Sequence, residues 1–143
     1  MNIKLGDFGL ACQLLDKNER KNTMCGTPNY ISPDIIKGKR YGYSFESDIW
    51  SLGVVIYKLI IGENPFEAES VEDILCRIKT NDFEIPDNKY ISYHAENLIK
   101  SIFVQNPRKR ISIEKILEHP FLNINMGIPK APVLNENMKL MTN

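Results

Sequence analysis

Cysteine, histidine and tryptophan are scarce in this chain, and neither sign of charge is in excess. Three cysteines (Cys12, Cys25 and Cys76) stand among 143 residues, with no Cys-x-x-Cys. An odd count without that spacing argues against a disulfide framework or a zinc site and for a reducing, intracellular compartment. Eighteen basic and eighteen acidic side chains cancel. A nucleic-acid binder would carry a basic excess, so none is expected as a partner. The short basic clusters Gly38-Lys39-Arg40 and Pro107-Arg108-Lys109-Arg110 read as solvated surface. Long apolar runs are missing too. The longest, Ile49 to Ile61, is broken by Ser51, Gly53 and Lys58. It falls short of the ~20 residues a membrane span needs, and Asp7 interrupts any leader-like stretch. Only two histidines are present, and neither reads as catalytic. His94 reads as a helix-surface residue, and His119 lies in a helix-ending His-Pro-Phe.

What is present is ordinary globular material, 43% hydrophobic and 25% charged, enough for one domain with a core. Ile3-Lys4-Leu5 reads as a short strand. From Gly6 to Ser44 the chain is rich in Gly, Pro, Asn, Lys and Arg with little periodicity. A connection that long usually has a function. A helix follows at about Ser47 to Ile61, apolar on nearly every face and therefore buried, with Gly62 placed to end it. Ser70-Val71-Glu72-Asp73 matches a capping box, and Val71, Ile74, Leu75 and Ile78 form one apolar stripe. Further helices are expected after Ser92 and after Ser112, the latter stopping before Pro120. Residues 123–143 read as a tail or linker.

Five motifs occur in order. Leu5-Gly6-Asp7-Phe8-Gly9 opens the chain, and Cys25-Gly26-Thr27-Pro28-Asn29-Tyr30-Ile31-Ser32-Pro33-Asp34 follows. Asp48-Ile49-Trp50-Ser51-Leu52-Gly53 comes next, then Asn106-Pro107-Arg108-Lys109-Arg110 ahead of His119-Pro120-Phe121. A lone Asp-Phe-Gly is a weak signal, whereas this ordered set is a strong one. The chain resembles the C-terminal lobe of eukaryotic serine/threonine protein kinases. The stretches 19–34, 43–53 and 77–86 are most similar to the Polo-like group. The resemblance implies a mainly α fold, the helical C-lobe of a protein kinase-like fold that is α+β when complete, with the N-lobe absent. It implies a partial kinase domain over residues 1–122.

The roles that follow are the family's. Asp7 corresponds to the Mg²⁺ ligand, with Phe8 packed in the core to orient it and Gly9 giving the backbone freedom to turn. Asp7, Phe8 and Gly9 would border the ATP phosphates. The competing reading of Asp7 is a surface turn residue. Thr23 corresponds to the activation-loop phosphosite, the competing reading being an unmodified loop threonine. Thr27 corresponds to the threonine that contacts the catalytic aspartate and shapes the substrate pocket. Asp34 and Arg110 correspond to a buried ion pair tying the activation segment to the helical core. The family usually has Ala-Pro-Glu where this chain has Ser32-Pro33-Asp34, so the carboxylate is one methylene shorter. Asp48 corresponds to the residue that holds the catalytic loop. Cys25 reads as a small packing residue in the activation segment.

A Gly-rich loop, a β3 lysine with its glutamate partner and a His-Arg-Asp loop are not found in these 143 residues. Expected cofactors are ATP and Mg²⁺, both needing residues outside the chain. Expected partners are protein substrates and an upstream activating kinase. The resemblance places such a protein in the cytoplasm or nucleus, at the spindle or centrosome. The chain alone is expected to be inactive, poorly packed and to expose a large apolar patch beside its apolar helix. The alternative is a non-catalytic remnant that binds partners through residues 63–91.

Overall fold

The computed structural model describes residues 3–16, 18–38 and 42–125. The described residues form six α-helices and no β-strand: α1 (Pro33–Lys37), α2 (Phe45–Ile61), α3 (Val71–Thr80), α4 (Tyr93–Ile102), α5 (Ile113–Leu117) and α6 (Pro120–Asn125). Single 3-10 turns lie at Pro28–Tyr30 and Pro107–Lys109.

Serine hydroxyls set four of the starts. Ser32, Ser70, Ser92 and Ser112 each accept a backbone N–H three residues on, at the head of α1, α3, α4 and α5. Each bond satisfies one of the donors that a helix N-terminus leaves orphaned. In the Ser70 box, Asp73 accepts from the Ser70 hydroxyl at 2.7 Å. Gly62 closes α2 in the left-handed region at φ 96°, its N–H bonded to the Lys58 carbonyl at 2.9 Å. Asn81 closes α3 at φ 59° and donates its side-chain amide to the Phe103 carbonyl at 3.0 Å.

The core is built around α2. Trp50, Val54, Tyr57 and Ile61 are buried along it, against Leu98, Ile99 and Ile102 of α4 and against Phe66 and Phe103. Trp50 stacks on Phe66 at 5.4 Å between ring centroids, and Phe103 packs tilted on Trp50 and edge-on to Phe66. Gly53 lets α4 come this close, because a Cβ there would collide with Ile102. The Tyr57 hydroxyl donates to the Glu84 carbonyl at 2.5 Å, which pins the 82–91 stretch to α2.

Several expectations change. The chain at 3–5 is not a strand, because none of the described residues pairs with it and an unpaired strand leaves its backbone groups unmet. The 6–44 stretch is not structureless: it holds α1 and the 28–30 turn. Residues 123–125 continue α6, and residues 126–143, also read as tail, lie outside the described residues. The described residues do bury an aromatic and aliphatic cluster on one side of α2. Phe45, Val55 and Leu59 stand exposed at helical spacing on α2, Leu59 at 81%. A hydrophobic dye is therefore expected to bind the folded chain. Leu59→Glu should cut that fluorescence by roughly half, with the unfolding free energy changed by less than ~0.5 kcal/mol.

Candidate functional site

A carboxylate and a guanidinium in the interior must meet, or each costs several kcal/mol. Asp34, in the first turn of α1, and Arg110, after the 107–109 turn, do meet. Their ion pair is 2.7 Å long, and both side chains are shut off from solvent. Ser47 of α2 donates its hydroxyl to the other Asp34 oxygen. Arg110 spends its remaining donors on the Val104 carbonyl at 3.2 Å and on the Glu46 carbonyl at the start of α2. Its guanidinium also lies 5.1 Å from the Trp50 ring centroid. Burial pushes the Asp34 carboxyl up, but the Arg110 charge and the hydrogen bonds from Arg110 and Ser47 together hold it below its ordinary value. The shorter side chain of Asp34 therefore reaches its partner.

This knot fixes the segment in front of it. Ser51 of α2 donates to the Tyr30 carbonyl at 2.8 Å, tying down the 28–30 turn. Thr27 sits immediately before that turn, exposed, with no side-chain cap bond. Further back, Arg20 bonds to Glu46 at 3.0 Å, and Lys21 and Tyr43 form an isolated antiparallel bridge. Gly42 permits that bridge. It sits at φ 63°, and a Cβ there would lie 2.7 Å from the Arg20 Cβ. Thr23, two residues beyond Lys21, is exposed.

The remaining candidates stand apart from the knot. Asp7 is exposed in the left-handed region at φ 59°, a conformation aspartate tolerates better than most residues. Phe8 is 69% exposed and not packed in the core, because no described residue covers it. Gly9 has open space: a Cβ there would meet Asp7 Oδ1 only at ordinary contact, 3.5 Å. Among the described residues no group of three or more His, Cys, Asp or Glu gathers around Asp7 or elsewhere. Asp48 is open to solvent in the first turn of α2, and no described group bonds to its carboxylate. The chain around it still desolvates the carboxyl enough to push it above its ordinary value. Ser47, Ser51 and the Glu46 carbonyl were not foreseen, although Ser47 adjoins Asp48 in a stretch already singled out.

His119 is buried and works structurally. Its Nδ1 accepts from the Phe121 N–H at 3.2 Å, so Nε2 carries the proton and donates to Asn97 at 3.0 Å. His94 is half-buried on α4.

A helical lobe whose 30–34 segment is locked to its core by a buried Asp–Arg pair agrees with the family comparison. The protein kinase domain family matches residues 1–122, and the chain belongs to that family. Within it the similarity is to Polo-like and cell-cycle serine/threonine kinases. The chain is 51% identical over 122 residues to a probable cell cycle serine/threonine-protein kinase CDC5 homolog of Encephalitozoon cuniculi. It is 50% identical over 118 residues to the cell cycle serine/threonine-protein kinase CDC5/MSD2 of Saccharomyces cerevisiae. Over 127 residues it is 42% identical to serine/threonine-protein kinase PLK4 of Drosophila persimilis. These matches take in 85%, 82% and 89% of the chain but only 26%, 17% and 16% of the three relatives. No described helix is long and apolar enough to cross a membrane.

Removing Arg110 leaves a buried carboxylate alone, so Arg110→Ala should lower the unfolding free energy by about 3–5 kcal/mol in urea titrations. Arg110→Lys should fall in between, because it keeps the charge and loses the fork. Two pH effects are expected. Asp34 has a depressed carboxyl, so its contribution is intact above its ordinary value of 3.8 and is lost as pH falls below it. His119 is held below its ordinary value of 6.5 by burial first and the nearby His94 second. Its neutral form therefore supports the fold above that value, and stability declines as pH drops from 6.5. His119→Gln should flatten the stability profile between pH 6.5 and the acid transition.

Proposed function

We propose that this chain supplies the helical, substrate-facing part of a serine/threonine protein kinase that transfers the γ-phosphate of ATP to a Ser or Thr hydroxyl. The observation that carries the reading is the Asp34–Arg110 lock, which holds residues 27–32 against the core. Phosphoryl transfer depends mainly on positioning and on neutralising charge at the phosphate oxygens. A backbone segment fixed by a buried ion pair suits the positioning half of that task.

Asp7 would hold Mg²⁺. A carboxylate that belongs to no cluster of three or more His, Cys, Asp or Glu among the described residues suits a hard cation that completes its sphere with phosphate oxygens and water. When bound, the metal neutralises phosphate charge. The chain's own contribution is to place the Asp7 oxygen at an exposed turn and Thr27 at the head of the rigid 28–30 turn. Thr23, exposed on the segment between the Lys21–Tyr43 bridge and Thr27, would be the phosphorylated switch. Its phosphate would add about −1.5 to −2 charge near Arg20 and Lys21. The protein substrates would be those of a cell-cycle kinase. Phosphotransfer needs the lysine and the His-Arg-Asp residues that these 143 positions do not contain, so the chain alone should be inactive.

A chimera tests this reading. The kinase domain of the Saccharomyces relative, up to its Asp-Phe-Gly, is joined to this chain from Asp7 onward. Casein phosphorylation is expected, with Asp7→Asn lowering kcat by about 10²–10³. A folded chimera without activity, beside an active parent, would contradict the reading. The non-catalytic alternative rests on residues 63–91, where Tyr90 is fully exposed. It predicts an inactive chimera and partner capture indifferent to Asp7→Ala.

A further inference from the structure

A cavity of about 480 Å³ lies behind the ion-pair knot, bordered by Asp34 and by residues 37 and 105–108, which the kinase reading does not use. Its wall takes Arg20 from the segment before the bridge, Lys37 from the end of α1, and Gln105, Asn106 and Arg108 from the loop after α4. Ligand pockets commonly span roughly 300–1,000 Å³. The charge in this one is lopsided. Three cations face one carboxylate, Asp34, whose charge Arg110 already offsets and which accepts a hydrogen bond from Ser47.

The cations are also under-committed. Among the described residues nothing bonds to the Arg108 side chain. Lys37 donates only to a neutral acceptor, the Gln105 amide oxygen at 2.8 Å. Arg20 is held to one side by Glu46. The backbone presenting Arg108 is rigid, since the Asn106 side chain accepts the Arg108 N–H at 3.0 Å and the 107–109 turn follows directly. A fork and an ammonium brought together by three separate segments suit an oxyanion with several acceptor oxygens.

We propose that this cleft binds a phosphate group, with Lys37 and Arg108 as its main donors and Arg20 flanking them. The group is either a free phosphate ion or a phosphoryl side chain of a peptide. It would sit next to the residues that lock the activation segment, so occupancy would stiffen Arg20 and the loop after α4.

The test is an amide ¹H–¹⁵N titration of the full 143-residue chain with inorganic phosphate, with chloride at matched ionic strength as control. Saturable shifts are expected at Lys37 and at Gln105, Asn106 and Arg108, and not with chloride. Lys37→Gln and Arg108→Gln should each weaken binding by roughly tenfold. Both side chains are exposed, so the variants should keep the parent spectrum elsewhere and the parent unfolding midpoint. A phosphothreonine peptide and its unphosphorylated twin form the second arm. Tighter binding of the phosphopeptide than of the ion assigns the group to a peptide, and equal binding assigns it to free phosphate. Shifts that do not saturate, that chloride reproduces, or that survive in the double variant overturn the proposal.

Discussion

Asp34 and Arg110 lie 76 positions apart and share one buried ion pair. Among the described residues there is no sheet, so contacts of this range carry the topology. The pair and its hydrogen bonds join α1, the start of α2, the Val104 carbonyl and the approach to α5. Trp50 roofs Arg110 from the apolar side and leads into the aromatic core. Through Ser47 and Ser51, the same end of α2 that closes the pair also holds the 28–30 turn.

A buried ion pair is weak evidence for net stability, because desolvation offsets much of the attraction. Its effect here is register. Arg110 offers five donors in a fixed plane, and the described acceptors are Asp34, the Val104 carbonyl and the Glu46 carbonyl. A shift of α1 or of the loop after α4 by one residue would strand the charge. Bulk stability comes from α2, α4 and the rings between them. The exposed Phe45, Val55 and Leu59 mark the side of α2 that no described residue covers.

Much of the helical frame was legible in the sequence. Ser70, Ser92 and Ser112 each precede an apolar stripe at helical spacing, and Gly62 follows one, so α3, α4, α5 and the end of α2 could be placed. α1 was missed because five residues hold too little periodicity, although Ser32, Pro33 and Asp34 spell an N-cap, a first-turn proline and an acidic first turn. A strand at 3–5 was expected on propensity, but a strand exists only with a neighbour. The pairing of Asp34 with Arg110 came from resemblance alone, since no local pattern links residues so distant. The cation-lined cleft was invisible for the same reason, its members coming from positions 20, 37 and 105–108. Phe8 was expected inside on the family pattern, yet nothing described covers it.

The chain is a kinase-family helical lobe in which the segment ending at Asp34 is held to the core by a buried charge pair. A double-mutant cycle with Asp34→Asn, Arg110→Met and the double variant, read by urea unfolding monitored by circular dichroism, tests that claim most directly. The account predicts that the double variant is more stable than the sum of the single losses implies, by about 1 kcal/mol or more, because each single change strands a buried polar partner. Additive losses within about 0.3 kcal/mol would mean that the two side chains do not depend on each other, and would contradict the account.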